Sequence, residues 1–143
     1  MGDNFNLFSF LTPKASTQYL LDTFTIRQAL EKFDQYKFAV VPVLDKEGNY
    51  LTTVSEGDIL RYIKNKHNFD ISVAESHLIK EVEYYRPYQS LDINCQLNEV
   101  FALSQNQNFI PIVDDRNKFI GIVRRSGIIS YMMENFIKGF ENK

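Results

Sequence analysis

A chain of 143 residues, 44% apolar and 24% charged, is long enough for a substantial core and has the balance of a folded protein rather than a disordered one. Its net charge of −2 excludes the broad basic footprint of a nucleic-acid binder, while leaving room for a local basic pocket that takes a small anion. A lone cysteine, Cys95, excludes an internal disulfide and a cysteine-based metal site, and no apolar run is long enough to span a bilayer.

The opening residues Phe5, Leu7, Phe8, Phe10 and Leu11 read as an amphipathic segment that caps the body of the protein. They lack the basic region and small-residue cleavage site of a signal peptide, so a cytoplasmic location is expected. Thr25 is placed to cap a helix whose apolar positions Ile26, Ala29, Leu30 and Phe33 keep the 3, 4, 7 spacing. Ala39 to Leu44 reads as a buried strand and Asp45 to Asn49 as a hairpin-type turn, with Gly48 and Asn49 available for positive φ. Tyr50 to Val54 is the return strand. A second helix starts at about Ser55, where Ser-x-x-Asp has the form of a cap, and it carries Ile59, Leu60, Tyr62 and Ile63 on its apolar side.

Between Lys64 and Pro87 a short helix is expected over Val73 to Val82, followed by an extended linker, Glu83 to Pro87, because proline disfavours helix at the preceding Arg86. Tyr84 and Tyr85 either stack on a base or wedge the two repeated halves of the chain together. His67 and His77 lack ligand-type spacing and read as surface residues, so no metal site is expected. The remainder is a short strand (Gln89 to Ile93), a helix through Leu97, Val100, Phe101 and Ser104, a strand Phe109 to Val113, a turn Asp114 to Lys118, a strand Phe119 to Val123 and a helix from about Ser126. That last helix, with Ile128, Ile129, Tyr131, Met132, Met133, Phe136, Ile137 and Phe140, has more apolar surface than one face needs. It covers either a partner subunit or the chain's own N-terminal segment.

The strongest signal is repetition. VVPVLDKEGNYLTTVSEGDILRY, Val40 to Tyr62, returns as FIPIVDDRNKFIGIVRRSGIISY, Phe109 to Tyr131, at one offset of 69 (111 − 42) with no gap. A period of that length marks a duplicated supersecondary unit. Each copy reads as β-α-β-β-α, giving an α/β (α+β) fold: residues 1–67 hold the N-terminal segment and first repeat, 68–87 a linker, and 88–143 the second repeat and C-terminal helix. The first helix of the second copy is expected to be one or two residues shorter. The copies differ at Ser55 against Arg124, Asp58 against Gly127, and Thr52 against Gly121.

Several of these residues have a plain reading beside a functional one. Asp58 suits a helix start by complementing the dipole, Arg124 and Arg125 could be a solvated helix start although cations are mildly unfavourable there, Arg86 could sit in a surface salt bridge, and Lys14 reads as an ordinary surface lysine. No Ser-His-Asp order with a nucleophile elbow, Walker loop or His-Glu-x-x-His occurs, so no enzyme activity is expected.

A hydrophobic pair before proline, Val-x-Asp, a Gly-Asn turn, a strand and Ser-x-x-Asp opening a helix resemble the cystathionine-β-synthase (CBS) domain, and two in tandem resemble a Bateman module. The resemblance runs from about Leu11 to Met133. It implies two repeats packed as a pseudo-two-fold pair that bind an adenosine-containing ligand in the cleft between them, with no obligate cofactor, a homodimer, an unknown target protein, and neither nucleic acid nor membrane as partner. The implied first pocket combines Thr53, Ser55 and Asp58 with Ser90, Leu91, Asn108 and Phe109, and Arg86 reaches its phosphates. The implied second pocket combines Ile122, Arg124, Arg125 and Gly127 with Lys14, Ser16, Gln18, Phe38 and Ala39.

The residue chemistry suits these roles. A hydroxyl at a helix start joins free N–H groups and the positive dipole end to favour a phosphate. Asp58 could accept both hydroxyls of a ribose, and the chain before each proline could meet an adenine edge. The second copy has lost its carboxylate, which costs a buried ribose edge about 1–3 kcal/mol, and paired arginines suit a ligand with several phosphates or a phosphodiester. In this it resembles small stand-alone CBS-pair proteins of Gram-positive bacteria that bind cyclic di-AMP; AMP, ADP and ATP are the other expected ligands. The competing reading is a structural or dimerisation module with vestigial pockets.

Overall fold

The computed structural model describes residues 6–36, 40–84 and 87–141. In chain order it contains β1 (Leu11–Pro13), β2 (Leu20–Leu21), α1 (Ile26–Tyr36), β3 (Val40–Leu44), β4 (Tyr50–Ser55), α2 (Glu56–His67), β5 (Leu91–Asp92), α3 (Leu97–Ser104), β6 (Phe109–Val113), β7 (Phe119–Arg124) and α4 (Arg125–Glu141). These elements divide into two compact units, one of residues 18–88 and the other of residues 89–143 together with the chain through Thr17. The fold is α+β, with one copy of the repeat in each unit. Phe5, Phe38, Ala39, Tyr85 and Arg86 lie outside the described residues.

In the first unit β2 pairs in parallel with β3, and β3 pairs antiparallel with β4, in the order β2-β3-β4. The parallel pair requires a crossover, supplied by α1. Its start is a reciprocal cap: Thr25 Oγ1 accepts from the Gln28 amide at 3.1 Å and Gln28 Oε1 accepts from the Thr25 amide at 2.8 Å. Ile26, Ala29 and Phe33, spaced three and four apart, are buried against Leu20, Val43, Val54 and Ile59. The expected helix over 73–82 is instead two short 3-10 turns, Ile71–Glu75 and Ile79–Glu81. The intervening chain is drawn out by pairing: Ile26 N–H donates to His77 O at 2.9 Å, Ile79 N–H to Phe24 O at 2.9 Å, and Thr25 bridges Leu78. Ala74, Ile79 and Val82 are thereby delivered to the core, which outweighs a weak helical preference.

The second unit repeats the plan with one addition, in the order β1-β7-β6-β5. The register is the same at offset 69: Val40 faces Ser55 as Phe109 faces Arg124, and both ladders slip at one place, between Val43 and Leu44 and between Ile112 and Val113. The hairpin turns match too. Asp45 Oδ1 accepts from the amides of Glu47 and Asn49, Asp114 Oδ1 accepts from those of Arg116 and Lys118, and Gly48 and its counterpart Asn117 both take positive φ, 88° and 65°. The repeated aspartate is therefore a turn residue, and the N–H groups of Lys118 and Arg116 hold the Asp114 carboxyl below the ordinary range. Helix α3 has eight residues against eleven in α1, three fewer rather than one or two.

The N-terminal segment, expected with the first repeat, belongs to the second unit. β1 pairs antiparallel with β7, setting Pro13 opposite Gly121, and Leu7 is buried with Ile110, Val123 and Ile128. This pairing accounts for a departure between the copies. A Cβ on Gly121 would lie 2.2 Å from the Thr12 carbonyl oxygen, and its φ is +156°. Thr52, its counterpart, is on β4, an edge strand where no described strand approaches, so a side chain fits. Proline inside the middle strands β3 and β6 is tolerated because β2 reaches only Val43 and Leu44, and β5 only Ile112 and Val113. Pro42 and Pro111 thus have a strand neighbour on one side alone.

Candidate functional site

In each copy the chemistry-bearing residues fall where the hairpin's second strand turns into a helix. In the first, Ser55 ends β4 with extended backbone (φ −112°, ψ 162°) and caps α2. Its Oγ accepts from the Asp58 amide at 3.0 Å, and Asp58 Oδ2 accepts from the Ser55 amide at 2.9 Å. Asp58 Oδ1 also accepts from Arg61 Nη1 at 3.1 Å, in a part-buried pair. The Asp58 carboxylate, 6% exposed, thus stabilises the helix start and holds an arginine; an ionised carboxylate has about four acceptor positions, so two of these bonds do not exhaust it. Thr53 is buried beside it, and its Oγ1 accepts from the Tyr88 amide at 2.9 Å. Tyr50 Oη donates to Tyr88 O at 2.6 Å, and burial pushes that phenol well above its ordinary pKa.

The second copy separates its adjacent arginines. Arg125, the first residue of α4, turns into its own unit: Nε donates to Ser104 O at 2.7 Å and Gln107 O at 3.1 Å, and its amide donates to Asn108 O at 2.9 Å. It ties down the last carbonyl of α3, where a cation complements the helix dipole, and a carbonyl of the loop that follows. Arg124, the last residue of β7, lines a cavity of about 560 Å³ together with Ser9, Thr12, Ser126, Ser130 and Glu134. Gly127, in the place of Asp58, also borders the cavity, and a Cβ there would meet no atom within 4 Å. Unlike Gly121, it has no steric reason to be glycine. Phe10 packs edge-on to Tyr131 at 5.0 Å and forms part of the same wall.

The expected site residues divide between the units as follows. Thr53, Ser55, Asp58 and Gln18 are in the first; Ser90, Leu91, Asn108, Phe109, Ile122, Arg124 and Arg125 are in the second. Lys14 and Ser16, expected from the first repeat, are also in the second, in a 3-10 turn against β7. Arg124 and Gly127, also in the second unit, are the expected site residues that line the cavity, whereas Ser9, Thr12, Ser126, Ser130 and Glu134, which help complete it, were not among the expected site residues.

Two further arrangements escaped sequence reading. Gln107 is buried at 6% exposure with its amide fully used: Oε1 accepts from Gln89 N–H at 2.8 Å, and Nε2 donates to Gln89 O at 3.1 Å and Phe109 O at 3.2 Å. It extends the β5–β6 pairing with a side chain. His67 and His77 do not stand apart: their ring centroids are 4.4 Å apart, and Tyr62 Oη is 3.0 Å from His67 Nε2 and 3.3 Å from His77 Nδ1. Glu81 completes the group 3.1 Å from His77 Nδ1, and the Leu78 N–H and then His77 hold its carboxyl below the usual range. Among the described residues no three His, Cys, Asp or Glu side chains are grouped to hold a metal ion. Burial, then Glu99, raises the Cys95 thiol, as suits a half-buried packing residue. No helix among the described residues is long and apolar enough to cross a membrane.

The α4 face resolves into two parts. Its first turns cover the N-terminal segment through Ile128 and Tyr131, whereas Met132, Met133, Phe136, Ile137 and Phe140 are each 49–70% exposed.

No curated protein matches the chain. Among solved structures, CbpB in complex with c-di-AMP is 22% identical, with a TM-score of 0.85 over 97% of this chain and 91% of that one. The Listeria monocytogenes CbpB protein in complex with c-di-AMP is 20% identical, with a TM-score of 0.78 over 92% and 97%. CBSX2 in complex with AMP is 20% identical, with a TM-score of 0.69 over 92% and 98%. At these identities the likeness is one of fold. The CBS domain family model matches residues 18–65 and 79–134, one stretch for each copy of the repeat, and the chain therefore belongs to the CBS domain family as a tandem pair.

Proposed function

We propose that this protein is a non-catalytic cytoplasmic regulator that binds an adenosine-containing nucleotide and signals its occupancy to a target protein. The observation that carries the reading is the β7–α4 junction, where Arg124, Ser126 and Gly127 line a cavity of about 560 Å³ of mixed polar and aromatic character, within the size range of small-molecule sites. An arginine beside a helix start with no acidic residue in its first turn favours phosphate. The structural neighbours CbpB and CBSX2, solved with c-di-AMP and AMP, support the same ligand class. The second site draws on Ile122, Arg124 and Arg125 with Lys14, Ser16, Gln18, Phe38 and Ala39, and favours cyclic di-AMP. The first draws on Thr53, Ser55, Asp58, Arg86, Ser90, Leu91, Asn108 and Phe109, and suits AMP, ADP or ATP. Within this proposal Arg125 acts chiefly by holding α4 in place.

Occupancy reaches the target protein only to the extent that the nucleotide binds two arrangements of the module unequally. Thermal shift against AMP, ADP, ATP, S-adenosylmethionine and cyclic di-AMP tests the reading. A ligand at 100 times its dissociation constant adds about 2.7 kcal/mol, so no stabilisation by any of the five at concentrations far above ~100 μM rules it out. Asp58→Ala is expected to weaken the first site selectively and Arg124→Ala the second.

The exposed second half of α4 favours a second reading, in which the module dimerises through this face and its pockets are vestigial. A dimer in light scattering with no nucleotide response selects that reading; a dimer that also binds nucleotide joins the two.

A further inference from the structure

The loss of a carboxylate at Gly127 coincides with the gain of one two turns further along. Glu134 is seven residues beyond Gly127 on α4, and both line the same cavity. Seven residues of helix advance about 10 Å, and residues seven apart fall on one face. Between them on that face stands Ser130, with Ser126 at the helix start, and Ser9 and Thr12 from the N-terminal segment opposite. None of the side chains of Ser9, Thr12, Ser126, Ser130 and Glu134 makes a hydrogen bond or ion pair with a described residue. The cavity is thus a trough that combines a guanidinium, a carboxylate and several hydroxyls with the rings of Phe10 and Tyr131. A mononucleotide held by phosphate at Arg124 would leave Glu134 unused, and Gly127 offers its ribose no acceptor.

We infer that Glu134 and Ser130 form an outer subsite that takes the second nucleoside of a dinucleotide, with Glu134 accepting the sugar hydroxyl or the exocyclic amine that Gly127 cannot. The inference rests on the nucleotide-binding reading and adds to it a length requirement on the ligand and two residues outside the repeated motif. Position 127 is open because the ligand passes it. A carboxylate in the trough also works against ligands that would place a phosphate beside it, which separates a ligand with a central phosphodiester from one with a terminal polyphosphate tail.

Calorimetry with cyclic di-AMP and with AMP on the full chain, wild type against Glu134→Gln and Ser130→Leu, tests this. Lys138→Ala, also exposed on α4 but not lining the cavity, is the control. Glu134→Gln, whose amide oxygen still accepts a hydrogen bond but without the charge, is expected to weaken cyclic di-AMP about fivefold, while leaving AMP within twofold. Ser130→Leu, which fills the trough at an exposed helix position, abolishes cyclic di-AMP binding and spares AMP. If wild type binds cyclic di-AMP and both variants match it within twofold, the outer subsite is wrong and the nucleotide-binding reading stands. If the variants weaken AMP as much as cyclic di-AMP, the length requirement is wrong. If wild type binds neither nucleotide, the nucleotide-binding reading falls and the subsite with it.

Discussion

Replacing Gly121 by alanine puts a methyl carbon 2.2 Å from the Thr12 carbonyl oxygen and 3.1 Å from Pro13 Cα, both backbone atoms of β1. Neither can swing aside as a long side chain could. The residue must also leave or strain its φ of +156°, which costs an L-residue about 1–3 kcal/mol, and forcing a carbon into a packed site costs about as much again. A loss of about 3 kcal/mol is therefore expected, relieved in part by β1 separating from β7 and exposing Leu7, which is 4% exposed when docked. Urea unfolding measures the loss, and amide exchange on β1 and β7 shows where it falls. The comparison is Thr52→Gly at the equivalent position, where β4 has a free edge: there the cost is only a strand residue and its packing, about 1–2 kcal/mol, with exchange at β1 unchanged. If Gly121→Ala costs less than about 1 kcal/mol and β1 stays protected, the explanation of this glycine by strand approach is refuted.

The adjacent arginines should separate by assay. Arg125→Ala, which strips Ser104 O and Gln107 O of their donor, lowers stability by about 2 kcal/mol in denaturant unfolding, whereas the effect expected of Arg124→Ala is weaker nucleotide binding. Gln107→Leu leaves Gln89 N–H and O and Phe109 O without partners in a part-buried setting, for a loss of about 2–4 kcal/mol seen as a lowered Tm. Burial raises the Tyr50 phenol and pushes Tyr84 up to about 12, from an ordinary value of 10.0 for both. Because the folded pKa values are the higher ones, this contribution is complete below pH 10 and is lost as pH rises from 10 towards the folded values. Alkaline unfolding is accordingly expected to steepen above pH 10 and to flatten in a Tyr50→Phe, Tyr84→Phe double variant; an unchanged profile contradicts it.

The duplication was legible because register and turn chemistry are local and recur without a gap: the Asp45 and Asp114 turns, the positive φ at Gly48, though not at Asn49, and the capping role of Ser55 follow from short-range patterns. What did not show was set by long-range pairing. The apolar spacing over 73–82 mimics a helix, and only the bridge from Thr25 to Leu78 draws it out. The N-terminal segment advertised an apolar face but not which unit it would join, although Gly121 against Thr52 held the clue once a strand was known to approach there. Arg124 and Arg125 are neighbours in sequence, yet one ends a strand and the other begins a helix, so their side chains diverge into a cavity and a helix end. Gln107 and the His67–Tyr62–His77 group, with no periodicity of their own, became visible only when distant chain segments met.

The central claim, that this tandem CBS protein is a nucleotide sensor, is tested most directly by titrating the purified chain with cyclic di-AMP in a calorimeter beside the Arg124→Ala variant. Saturable binding by wild type that weakens at least about tenfold in the variant, with the variant still folded, is the predicted result. No measurable heat or thermal stabilisation with cyclic di-AMP or any adenine mononucleotide at concentrations far above ~100 μM would contradict it.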